Sequence, residues 1–205
     1  MISRLRQTKR GYTAVEVLVS MTLFAIGAAG VISMQRVSIQ GNADARRADI
    51  GTGIASEWLA RLRRDSMAWT TPNGIVGTDN RNANCTWLKD TEVSTLAAPL
   101  LANASWRQPI SPTVPGGANT FDVLGREVAQ GAADRFFCVN YRLGWLRIDP
   151  NTGFGTTIRA EVRVFWPRVE QSPAASCAPA DANVINAQEL YHFVYATTTL
   201  RRNSL

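Results

Sequence analysis

The sequence predicts an α+β protein in which one long N-terminal helix, half membrane-spanning and half amphipathic, packs on a C-terminal antiparallel β-sheet. Three observations carry that expectation. Val17 to Met34 is a run of 18 uncharged residues, about 27 Å long as a helix at roughly 1.5 Å per residue. A bilayer's hydrocarbon core is about 30 Å thick, so the run crosses most of it. Next, residues 42–67 contain no proline, and Ile50, Ile54, Trp58 and Leu62 recur every four residues, the spacing of one helix face. Finally, Ile158, Ala160, Val162, Val164 and Trp166 alternate with Arg159, Glu161 and Arg163, the period of a half-buried strand.

The first eleven residues, MISRLRQTKRG, hold Arg4, Arg6, Lys9 and Arg10 and no acid. A basic segment ahead of an apolar helix is retained on the cytoplasmic side. The formal charge of +6 therefore misleads: without residues 1–11, 18 basic and 16 acidic side chains remain, a net of +2. Bulk charge gives no case for nucleic acid as a partner. The apolar run itself is preceded by a single charge, Glu16, and a carboxylate at the mouth of such a segment needs a compensating partner.

Gly11, aromatic Tyr12, Thr13, Glu16 and the apolar helix directly after them match a prepilin signature. The chain thus resembles the type IV pilin and type II secretion pseudopilin superfamily, specifically over residues 6–40, and EVLVSMTLFAIGAAGVISMQ is most similar to the PilV-type minor-pilin branch. Tyr12 stands where phenylalanine is usual, Ala14-Val15 replaces leucine-isoleucine, and the mid-helix proline of many major pilins is missing. The resemblance implies the pilin fold, cleavage between Gly11 and Tyr12 by a membrane aspartic prepilin peptidase, and N-methylation of Tyr12. Glycine before the cut suits close approach of a protease, having no Cβ. The protein would be a substrate and no enzyme, with no catalytic residue, metal or cofactor of its own.

On this reading residues 1–11 are a leader, 12–35 a transmembrane and filament-core helix, 36–70 an amphipathic continuation, and 71–205 a periplasmic or extracellular head. The chain sits in the inner membrane, N-in and C-out, before joining a pilus at the cell surface. Glu16 is expected to meet the Tyr12 amine of a neighbouring subunit, which offsets burial of a charge in low dielectric; the alternative is a Glu16 that snorkels to water among headgroups. Expected partners are the prepilin peptidase, other minor pilins and the major pilin. The small residues Gly27, Ala28, Ala29 and Gly30 suit either close helix contact or ordinary membrane-helix usage.

Further along, Gly41, Gly51 and Gly53 each weaken the helix by up to about 1 kcal/mol, so a bend is expected there. Thr71-Pro72-Asn73-Gly74 should end the helical region. Residues 71–120 read as a long irregular connector with a short helix near 93–101. Strands are expected at 135–143, 157–166 and 190–200, with the turn Asp149–Gly153 between the first two and a loop over 169–186 before the third. Of Cys85, Cys138 and Cys177, two should pair outside the cytoplasm; three pairings are open, and the strand-like surroundings of Cys138 favour one that includes it.

Other signals take structural readings. His192 is the only histidine and serves no nucleophile motif. The tryptophans at 58, 69, 87, 106, 145 and 166 suit core and sheet faces better than a stacking surface for bases or sugars. Arg61, Arg63 and Arg64 read as a solvated helix face, and Asp149–Gly153 as a plain turn rather than a calcium loop. The functional expectation is a minor type IV pilus subunit in an initiation or tip complex. Alternatives are a minor type II pseudopilin and a DNA-binding or adhesive minor pilin. A secreted enzyme would instead be cut near Ala28 or Ala29, after the apolar run.

Overall fold

The computed structural model describes residues 11–69, 81–88, 106–109, 119–129, 132–148, 155–168, 177–178, 184 and 188–202. Helix α1 spans Ala14–Ser66 without interruption, and the chain divides into two compact units, Met1–Arg46 and Arg47–Leu205. In the first unit α1 is open to its surroundings on every side, its apolar side chains from Val15 to Ile39 included.

In the second unit α1 packs on a four-stranded antiparallel sheet in the order β1 (Thr120–Phe121), β2 (Phe137–Ile148), β3 (Gly155–Pro167), β4 (Tyr191–Arg201). Ile54, Ala55, Trp58, Leu59 and Leu62 form the buried stripe of α1, as their helical spacing requires. They meet the face of the sheet that carries Val139, Tyr141 and Leu143 from β2, Ile158, Ala160, Val162 and Val164 from β3, and Leu200 from β4. Strand alternation puts these residues on one side and Asn140, Arg142, Glu161 and Arg163 on the other. The register agrees: Val139 pairs with Val164, Tyr141 with Val162, and Asn140 with Arg163.

Gly41, Gly51 and Gly53, where a bend was expected, all lie inside the continuous span of α1. Gly51 instead admits the sheet: a Cβ on it would lie 2.8 Å from Cζ3 of Trp166. The helix ends at Ser66, earlier than residues 71–74, through tight turns in which Met67, Ala68 and Trp69 donate to the carbonyls of Arg64, Asp65 and Ser66. The Asp65 carboxylate then receives the loop that follows a short helix, α2 (Arg81–Asn84): Oδ1 accepts from the Thr86 N–H at 2.7 Å, and Oδ2 from Trp87 at 2.7 Å and Leu88 at 3.0 Å. That brings Cys85, Trp87 and Leu88 into the core.

α2 and β1 fall in a stretch expected to be irregular, and β2 runs five residues beyond the expected end at Leu143. β1 forms because a tight turn folds the chain back on itself. The Asp122 carboxylate accepts the N–H groups of Leu124 (2.9 Å) and Arg126 (2.8 Å) and pairs with the Arg126 guanidinium (2.6 Å). Gly125 takes the left-handed conformation the turn needs (φ 78°) and lies against Ile50 of α1. The expected helix near 93–101 and the turn at Asp149–Gly153 lie outside the described residues, as does most of the loop over 169–186.

Candidate processing and assembly site

Thr13 begins α1. Its carbonyl accepts the N–H groups of Glu16 (3.1 Å) and Val17 (3.2 Å), and its Oγ1 lies 3.3 Å from the Glu16 nitrogen as a second acceptor. Thr13 is therefore the N-cap and Glu16 the third helical residue, the Thr-x-x-Glu arrangement of a capping box. A carboxylate in the first turn is also favoured by the positive end of the helix dipole. The Thr13 cap was readable in the sequence from its Thr-x-x-Glu spacing.

Gly11 and Tyr12 precede the helix in open, irregular backbone, with Tyr12 84% exposed. A side chain on Gly11 would meet nothing within 4 Å. One helical turn on, Glu16 shares a face with Tyr12, Val17, Ser20, Met21 and Phe24.

Two hydroxyls in the apolar run, those of Ser20 and Thr22, are satisfied within the helix. Ser20 donates to the Glu16 carbonyl (2.7 Å), and Thr22 to those of Leu18 (3.1 Å) and Val19 (2.8 Å). Such bonds remove the cost of placing a hydroxyl in hydrocarbon. Among the described residues α1 is the one helix long and apolar enough to cross a membrane. Gly27 and Gly30 have open space where a Cβ would be, so a neighbouring backbone could approach closely there.

In the second unit Cys138 and Cys177 form a disulfide, and Cys85 lies buried outside it. Cys177 adopts φ 60° and is held by Asn140, whose Nδ2 donates to its carbonyl at 3.0 Å. Arg163 donates to the Asn140 Oδ1 at 2.7 Å. Burial pushes the Arg163 guanidinium below its ordinary pKa, a loss that the neighbouring Tyr195 partly offsets. The remaining sequence signals fall into the fold. His192 stacks on Trp166 with ring centroids 5.4 Å apart. Trp58, Trp69, Trp87 and Trp166 are buried, whereas Trp106 lies on the outer face under the guanidinium groups of Arg142 (4.6 Å) and Arg163 (4.5 Å). Arg61 pairs with Glu57 and Glu127, and Arg63 donates to Thr198.

No family model, curated protein or solved structure matches the chain.

Proposed function

We propose that this chain is a minor subunit of a type IV pilus, made as an N-in, C-out inner-membrane precursor and cut between Gly11 and Tyr12 by a prepilin peptidase. One observation carries the reading: an open Gly-Tyr bond stands directly before a capped helix that is apolar on every side and has Glu16 as its only charge from Val15 to Gln35. A helix exposing that much apolar surface is stable only in lipid or against other helices. Cleavage leaves the helix attached to the protein, so the same segment serves first as a membrane anchor and then as the contact with the major pilin and other minor pilins. The α+β unit is the head displayed on the filament.

Cleavage also creates an α-amine on Tyr12 that is positively charged near neutral pH. At the N-terminus of α1 that amine faces the positive end of the helix dipole, an unfavourable placement. A carboxylate from a neighbour's Glu16 offsets it, and the pairing fixes the axial register of adjacent helices. The test compares Glu16→Ala and Glu16→Gln with the wild type in cells that assemble fibres. Both variants should still be cleaved and both should be lost from sheared fibres, since Gln retains the capping pattern but not the charge. Normal incorporation of Glu16→Gln would remove the charge-pairing role.

A further inference from the structure

The two edges of the sheet are treated differently. The outer edge of β2 is covered: Arg107 and Tyr141 exchange backbone hydrogen bonds (2.7 and 2.9 Å), Val139 donates to Asn119, and Phe136 donates to Phe121. At β4 the Arg168–Leu190 and Arg202–Thr156 bonds (2.8 and 3.1 Å) show that the even-numbered residues of β4 are the ones bonded to β3. In an antiparallel ladder the alternate residues then turn their N–H and C=O groups outward. Arg168 covers that edge at the Tyr191 carbonyl, 3.2 Å away. Beyond it, among the described residues no backbone group bonds to Phe193, Tyr195, Thr197 or Thr199 on the side away from β3.

Natural edges are commonly blunted by a bulge, a proline or a lysine. Between Phe193 and Thr199 the pairing with β3 is unbroken and none of these residues occurs. Water satisfies such a row in the isolated chain, and an extended backbone of matching register can replace it with a continuous ladder. The charges beside it indicate what kind. Arg63 reaches Thr198 on the helix side and Arg201 is exposed at the end of the strand. On the outer face, Glu161 is shared by Arg142 and Arg159, and Arg159 lies beside Thr199. β4 itself, YHFVYATTTLR, contains no carboxylate, so a second copy's β4 would bring no counter-charge.

We propose that the β4 edge from Phe193 to Thr199 takes up an extended, acidic strand of a partner protein by β-strand addition. This surface is independent of the helix contacts in the filament reading. The probe is a capped ten-residue peptide alternating valine with glutamate, compared with its lysine counterpart, added to the full chain in detergent micelles. Binding is read by anisotropy and by amide hydrogen exchange. The glutamate peptide should slow exchange at Phe193, Tyr195, Thr197 and Thr199 while leaving the even-numbered amides, already bonded to β3, as they were. Thr197→Pro should abolish binding without changing the tryptophan spectrum, because the lost N–H is outside the ladder. Arg63→Glu with Arg201→Glu leaves every amide in place and should shift preference toward the lysine peptide by about ten-fold, the order expected when two cross-strand charge pairs change sign. No protection at the odd-numbered amides, or equal binding of both peptides, overturns the proposal. A concentration-dependent dimer that Thr197→Pro disperses also overturns it, by giving the edge to a second copy.

Discussion

Trp166 of β3 packs its indole against Gly51 of α1 so closely that a single methyl group at residue 51 would lie 2.8 Å from Cζ3 and 3.2 Å from Cη2. Helix propensity and packing thus oppose each other there. At Gly53, two positions on, a Cβ would meet nothing within 4 Å. Gly53→Ala should stabilise the protein by up to about 1 kcal/mol. Gly51→Ala should destabilise it by about 1–3 kcal/mol, the usual cost of overpacking, reduced by the propensity gain. Urea unfolding followed by tryptophan fluorescence in micelles measures both, and two changes of the same sign would contradict the close helix–sheet approach.

The Asp65 carboxylate holds three successive backbone N–H groups, from Thr86, Trp87 and Leu88. Removing it strands partly buried donors whose loss costs about 1–3 kcal/mol. Asp65→Ala should lower stability by that amount and increase exposure of Trp87. An unchanged unfolding midpoint would show that the loop is held by its apolar side chains alone.

Asp122 gives a pH dependence of definite sign. The N–H of Arg126, followed by its guanidinium and the N–H of Leu124, holds the carboxyl below the ordinary value of 3.8, against the opposing effect of burial. A depressed carboxyl pKa stabilises the fold above the unfolded value and ceases to do so as pH falls through the folded value. The stability gap between wild type and Asp122→Asn should therefore be wide at pH 7 and narrow steadily below about pH 4. Unfolding curves across that range check it; a gap independent of pH would contradict it.

Only Cys138 and Cys177 are bridged, across 39 residues of sequence. The denatured, unreduced protein should release one reactive thiol, and Cys85→Ser should release none. Cys138→Ser with Cys177→Ser should lose about 2–4 kcal/mol, the typical contribution of such a bond. Two or more reactive thiols in the unreduced wild type would contradict the pairing.

The elements with strong periodicity were legible in the sequence: α1 through its four-residue repeat of Ile50, Ile54, Trp58 and Leu62, and β3 through its alternation. β1 was not, because two residues carry no period and Thr120–Phe121 becomes a strand only through the Asp122 turn and the partner strand. The end of α1 at Ser66 is not legible for a similar reason. Proline and glycine at residues 72 and 74 are obvious stop signals, whereas the actual stop depends on Asp65 turning from the helix to capture a distant loop. At the N-terminus, the Thr13-x-x-Glu16 spacing of the cap is a local pattern, legible without any tertiary contact. The open edge of β4 was beyond reach, since it follows from which strands pair and not from the composition of any one of them.

The most direct test of the filament reading is the mass and N-terminal sequence of the protein recovered from cells that carry a prepilin peptidase. The account predicts a chain beginning at an N-methylated Tyr12 with α1 intact. A chain that retains residues 1–11, or one that begins near residue 30 with the apolar half of α1 removed, would contradict it.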